Sequence, residues 1–204
     1  MHKLLVLLIP LVLVFSGPAV DAGIMVFVAD LTGPAEDPPN ASPGFGTARV
    51  DFDTTAHAMR VRAVFESLSS ETTVAHIHAA TTGAGTGTAG VATPTPTFPG
   101  FPAGVTSGSY DMTFDMTLAS SYRGGFITAN GGTPGTAETA LLQALNDGKA
   151  YLNIHTVEFP GGEIRGFFTA VPEPSHFVVL AAFAAGAVLW RRSGTCRVGD
   201  RTEA

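Results

Sequence analysis

The chain has 204 residues, of which 45% are hydrophobic and only 14% are charged, and its formal net charge is −6. This negative balance argues against a nucleic-acid-binding protein, because such proteins depend on basic residues that contact phosphates. The single cysteine, Cys196, lies near the C-terminus, so the preceding chain has neither a disulfide nor thiolate chemistry.

The N-terminus has the pattern of a secretory signal peptide. Lys3 precedes an apolar run over residues 4–15, and small residues follow as far as Ala22. We therefore predict cleavage after Ala22, with residues 1–22 as the signal peptide. The alternative is an uncleaved anchor, but the apolar run is shorter than the ~20 residues that a membrane span needs.

Residues 23–170 are expected to form one folded domain, which has 13 acidic and 6 basic residues. Short segments of alternating apolar and polar residues, separated by turns rich in glycine and proline, predict antiparallel strands. The strands are expected at residues 24–31, 47–52, 57–68, 72–79, 109–119, 150–156 and 162–170.

Two segments of this domain do not have the pattern of strands. Residues 80–108 are a low-complexity sequence of glycine, threonine and proline, which predicts a long loop or an irregular edge. Residues 135–150 predict a helix that begins at an N-cap at Thr136 and ends at Gly148. The sequence therefore predicts an all-β fold, an antiparallel β-sandwich or barrel with one short helix before the last hairpin.

The C-terminus combines a short motif, an apolar run and basic residues. The apolar run over residues 177–190 is long enough for only ~20 Å of a ~30 Å hydrocarbon core. Because basic residues stay on the cytoplasmic side, we assign residues 171–192 to a sorting segment with a short apolar helix and residues 193–204 to a cytoplasmic tail. The sorting motif consists of Pro172, Glu173, Pro174, Arg191 and Arg192.

This C-terminal segment resembles the PEP-CTERM tag of Gram-negative bacteria. The resemblance implies an exosortase-type sorting protease as a partner, transient anchoring in the inner membrane, and export to the cell envelope, the cell surface or the extracellular matrix. A plain C-terminal membrane helix is the alternative.

Three segments of the domain stand in a recognisable order: "FVADLTGPAEDPPNASPGFGTARV", "VAHIHAA" and "ALLQALNDGKAYLNIHTVEFPGGEIRGFF". Together they resemble the CHRD domain, first described in chordin, and the resemblance extends over nearly all of residues 25–169. The resemblance implies a β-barrel that is immunoglobulin-like or superoxide-dismutase-like. It implies no particular biochemical activity. One departure from the family pattern is Ala79-Ala80, where Gly-Pro is common.

Three histidines on predicted strands form the candidate site. His76 and His78 are one residue apart, so their side chains point to the same face of a strand. If the strand of His155 pairs with its face on that side, the three imidazoles can hold copper or zinc through bonds of ~2.0–2.1 Å. Glu163 and Arg165, on the last predicted strand, would then support the histidines from outside the coordination sphere.

The alternative interpretation is that the histidines are structural and hydrogen-bond to backbone and acidic groups. His-x-His on a strand also resembles the copper site of copper/zinc superoxide dismutase, which implies redox activity. However, the bridging histidine, the zinc cluster and the disulfide of that enzyme have no counterpart in the sequence.

We therefore predict an exported, non-catalytic module of the cell surface or matrix, with exopolysaccharide or matrix components as partners. No catalytic residue and no organic-cofactor site are expected. The alternative is a copper- or zinc-binding domain with superoxide-dismutase-like redox activity.

Overall fold

The computed structural model describes residues 23–172. The predicted signal peptide and the predicted cytoplasmic tail lie outside the described residues, as do Glu173, Pro174, Arg191 and Arg192 of the predicted sorting motif. The described part of the chain has no helix that is both long enough and apolar enough to cross a membrane. Its strands are β1 (Ile24–Thr32), β2 (Phe45–Asp53), β3 (Ala58–Glu66), β4 (Thr72–His78), β5 (Gly108–Asp115), β6 (Tyr151–Thr156), β7 (Ile164–Phe167) and β8 (Thr169–Ala170).

These strands form one curled antiparallel sheet, which confirms the all-β prediction. The strand order is β4-β6-β7-β1-β2-β3-β5, and β8 pairs with β1. Alternate residues of β2 and β3 are buried, because successive side chains of a strand point to opposite faces. The order places β4 beside β6 at one end of the sheet, and these are the strands that carry the three candidate histidines.

The buried face of the sheet is covered by aromatic and aliphatic side chains. Phe27, Phe52 and Phe65 of the central strands are fully buried, and Leu141 and Leu145 of a helix pack into the same core. Burial of one such side chain stabilises a fold by roughly 1.5–3 kcal/mol. The core therefore lies on the face opposite to the candidate histidines, because Ala75 and Ile77 alternate with them in β4 and belong to the core.

The helix of that core is α2 (Pro134–Asn146), preceded by a short helix α1 (Gly124–Ala129). The predicted N-cap at Thr136 is wrong by three residues. Thr133 is the N-cap, because its hydroxyl accepts a hydrogen bond from the Thr136 amide at 3.2 Å. Proline in the first turn favours this start, since its fixed φ suits a position whose amide has no partner within the helix.

The low-complexity segment, residues 80–108, runs along the outer edge of β4. The amide of Ala92 donates to the carbonyl of Ile77 at 2.9 Å, and the amide of Phe98 donates to the carbonyl of Ala75 at 3.0 Å. Phe98 is itself fully buried. The segment therefore provides partners for the backbone groups of an edge strand that would otherwise be unpaired.

Candidate metal centre

The pairing of β4 with β6 brings the three histidines together. His76 lies opposite Asn153, and Val74 lies opposite His155, so His155 is one diagonal step from His76 on the same face. The ring centroid of His76 is 4.9 Å from that of His78 and 4.8 Å from that of His155. One imidazole nitrogen from each residue lies within 4.8 Å of the others.

These separations are close to those of a mononuclear site. Two imidazole nitrogens that bind one ion through bonds of ~2.1 Å can be at most ~4.2 Å apart. Three such nitrogens spaced evenly around one ion are at most ~3.6 Å apart, so side-chain rotations that shorten the longest separation by roughly 1.2 Å would close the site.

Backbone carbonyls fix the orientation of two of the rings. Nδ1 of His78 lies 2.8 Å from the carbonyl oxygen of Ala89, and Nδ1 of His155 lies 2.9 Å from that of Pro160. A carbonyl can only accept, so both Nδ1 atoms carry the proton and both Nε2 atoms keep a free lone pair.

Each of the three rings has one buried nitrogen that is left without a hydrogen-bond partner. Among the described residues nothing bonds to Nδ1 of His76, Nε2 of His78 or Nε2 of His155, and all three atoms are buried. A buried polar atom without a partner costs about 1–3 kcal/mol. Three such nitrogens that converge on one point have the chemistry of a metal tripod, since neutral imidazole nitrogens are ligands for zinc and copper.

The histidines are neutral at physiological pH. Burial lowers the pKa of His76 to about 3 and that of His78 to about 4, and it also lowers the pKa of His155. Neighbouring imidazoles add to this effect at His76. The neutral form is the one that binds a metal, so a proton does not compete for these nitrogens near neutral pH.

Arg165 supports the histidines through the segment that covers them. Its side chain is buried, and its guanidinium donates to the carbonyl of Gly87 at 3.1 Å and to the carbonyl of Ala35. It also lies 4.9 Å from the ring centroid of Tyr151, which stacks on His78 with an interplanar angle of 2°. Arg165 therefore holds in place the ring of Tyr151, which stacks on His78. It also holds the loop at Gly87, close to the Ala89 carbonyl that orients His78.

Glu163 has a different role from the one predicted. Its carboxylate accepts hydrogen bonds from the Ser42 hydroxyl and the Ser69 amide, both at 2.5 Å, and from the Thr156 hydroxyl at 2.6 Å. These bonds join two loops to β6 on the side away from the histidines. The orienting role that was expected of Glu163 is filled by backbone carbonyls.

A local irregularity of the hairpin explains this difference. The amide of Glu163 donates to the carbonyl of Ile154 at 2.8 Å, whereas the ladder partner of Ile154 is Ile164. Two residues therefore lie opposite one, as in a β-bulge. A bulge changes the alternation of side chains, so Glu163 and Arg165 do not share a face although they are two residues apart.

Two further polar residues lie close to Arg165 and were not predicted as part of the site. Asn153 lies between His76 and Arg165 across three adjacent strands. Glu36 is buried, with a carboxylate oxygen 3.8 Å from Nε of Arg165, and burial raises its pKa to about 7. Glu36 belongs to the Leu-Thr-Gly-x-x-Glu-x-Pro-Pro stretch of the sequence. This stretch was the feature of the sequence that could have identified Glu36 as part of the site.

His57 lies outside the cluster. It is half exposed, and its Nδ1 lies 2.9 Å from a carboxylate oxygen of Glu138 on α2. It therefore serves as an internal control for experiments on the other three histidines.

Comparison with known proteins gives one match, to a family. The family model for the CHRD domain matches residues 27–168, which include the whole sheet from β1 to β7 except for the terminal residues. No curated protein and no solved structure matches the chain. Because the family model extends over more than half of its length, the chain belongs to the CHRD domain family.

Proposed function

We propose that the protein is an exported, non-catalytic module of the cell surface or matrix whose CHRD domain binds one copper or zinc ion at His76, His78 and His155. The observation that carries the proposal is the convergence of three buried imidazole nitrogens that have no hydrogen-bond partner among the described residues. CHRD domains are in general non-catalytic extracellular modules, which supports the setting.

The donor set favours copper or zinc over harder cations. Three imidazoles suit ions of borderline softness, whereas calcium and magnesium prefer oxygen ligands. The carbonyls of Ala89 and Pro160 fix two rings in the tautomer that presents Nε2, as metal-bound histidines usually require. The chain therefore supplies three neutral ligands with restricted orientations.

Metal titration of the full chain, purified without a polyhistidine tag, tests the centre. We expect one equivalent of Cu²⁺ or Zn²⁺ to bind to the wild type. His78→Ala and His155→Ala should bind the ion at least ~100-fold more weakly, because loss of a residue that only supports a ligand already lowers metal affinity by about 10–100-fold. The matched control is His57→Ala, which should retain the affinity of the wild type. Equal copper binding by the wild type and His78→Ala would contradict the proposed centre.

The same preparation separates a binding module from a redox enzyme. The rate of superoxide consumption is compared between the copper-loaded wild type and the same concentration of His78→Ala with copper. Equal rates would support a binding module without turnover. A rate that requires all three histidines would favour the redox alternative.

Export and processing form the other part of the proposal. The signal pattern of residues 1–22 and the sorting motif before the apolar run support them, although both lie almost wholly outside the described residues. We expect the mature surface form in the native host to have lost the apolar run. Mass spectrometry of surface protein should find no peptide that contains Trp190, and detection of Trp190 there would contradict processing.

A further inference from the structure

Arg123 differs from the other arginines of the domain. It is exposed, and its guanidinium makes no hydrogen bond or ion pair with any residue from 23 to 172. In a domain with 13 acidic and 6 basic residues, a basic side chain without a carboxylate partner is unusual. The other described arginines are each within ion-pair distance of a carboxylate, in the pairs Arg49–Asp51, Arg60–Asp111, Arg62–Asp51 and Arg165–Glu36.

The backbone places Arg123 beside the histidine pair of β4. The amide of Arg123 donates to the carbonyl of Ala92 at 2.9 Å, and the amide of Ala92 donates to Ile77, the residue between the two histidines. The guanidinium extends to Gly90, where a Cβ atom would lie 3.8 Å from its Nη1. Gly90 directly follows the residue whose carbonyl orients His78.

A metal ion held by three imidazoles keeps its full charge of two. A buried charge without a counter-charge is costly, and a site with three protein ligands leaves a coordination position open. The carboxylate of Glu163 is engaged elsewhere, and that of Glu36 is paired with Arg165. The charge is therefore best balanced by an anion from solution.

We propose that the ion and Arg123 together bind one small monovalent anion, such as a carboxylate, which coordinates the ion and accepts hydrogen bonds from the guanidinium. This inference rests on the metal centre proposed above. Guanidinium groups suit the role because their planar donors match the oxygens of a carboxylate and stay charged at all physiological pH values.

Azide titration of the full chain loaded with Cu²⁺ tests the anion site. Azide is the probe because its coordination to Cu²⁺ produces a charge-transfer absorption band. We expect the wild type to bind azide about five- to tenfold more tightly than Arg123→Gln, the effect of one partly screened charge. Arg123→Lys should retain part of the difference, because it keeps the charge and loses the planar donors.

The matched control is Arg60→Gln, which removes an exposed arginine from the central part of the sheet and should leave azide affinity unchanged. Equal azide affinity in the wild type and Arg123→Gln, with copper bound normally by both, would overturn the anion site and leave the metal centre in place. Failure of the wild type to bind copper would overturn both.

Discussion

Replacement of Glu163 by alanine should lower the free energy of unfolding by about 3–5 kcal/mol, because hydrogen bonds to a charged group are worth ~1.5–3 kcal/mol each and the buried Thr156 hydroxyl would lose its acceptor. The side chain is fully buried and accepts bonds from Ser42, Ser69 and Thr156. Its removal would release two loops from β6 at once. Urea denaturation of the apo protein measures the loss directly.

The control for this substitution is Glu158→Ala in the same hairpin. Glu158 is exposed, so its removal should change stability by no more than about 0.5 kcal/mol. Copper affinity of the folded Glu163→Ala protein should match that of the wild type, because the carboxylate orients none of the three histidines. A large loss of copper affinity with little loss of stability would instead mean that Glu163 supports the metal centre, as the sequence suggested.

Acid should weaken the same interaction. Burial alone would raise the pKa of Glu163, but the hydrogen bonds to its carboxylate outweigh burial and hold the pKa below its ordinary value of 4.5. The unfolded chain then takes up the proton first as the pH falls. The contribution of Glu163 is complete above pH 4.5 and disappears as the pH falls through the folded-state pKa. The stability of Glu163→Gln should therefore fall less steeply in acid than that of the wild type.

Gly166→Ala should be about equally disruptive, for a steric reason. A Cβ atom at Gly166 would lie 2.8 Å from the carbonyl carbon of Asp30 in β1 and nearer still to its oxygen. Both contacts are with backbone, so a whole strand must move. We expect a loss of about 3 kcal/mol, the upper end of the usual cost of overpacking. The thermal midpoint should fall by about 6–12 °C for a chain of this size.

A second glycine in the same hairpin provides the comparison. Gly161 has no described atom within 4 Å of the position its Cβ would take, and its φ is not in the left-handed region. Gly161→Ala should change the midpoint by about a degree, since surface substitutions usually stay within ~0.5 kcal/mol. An unchanged midpoint in Gly166→Ala would mean that β1 and β7 are further apart than the structure places them.

The shared face of the histidines followed from the sequence because it depends only on the period of a strand. For His76 and His78, the shared face could be predicted without knowledge of the fold. For His155, the prediction required only the assumption that its strand pairs with theirs. The order of the strands could not be predicted in this way. That β6 lies between β4 and β7 depends on contacts between residues far apart in the chain.

Local exceptions to the two-residue period explain the rest of the difference. The position of Glu163 depends on a bulge, and its preceding glycine, Gly162, has a φ of 131° that only glycine adopts readily. The carbonyls of Ala89 and Pro160 belong to loops. Because every residue has a backbone carbonyl, the sequence does not show which carbonyls will orient the histidines. The types of residue were therefore enough to suggest the candidate ligands, whereas the groups that orient them depend on backbone geometry.

The low-complexity segment has a consequence for the tendency of the protein to aggregate. The same stretch that occupies the edge of β4 also supplies the carbonyl that orients His78. A bound ion would therefore tie that stretch to the sheet, and its loss would make the stretch easier to detach. An uncovered edge strand is a template on which other chains can add strands. If the proposed centre holds an ion, loss of that ion would therefore expose the edge of β4 and favour self-association.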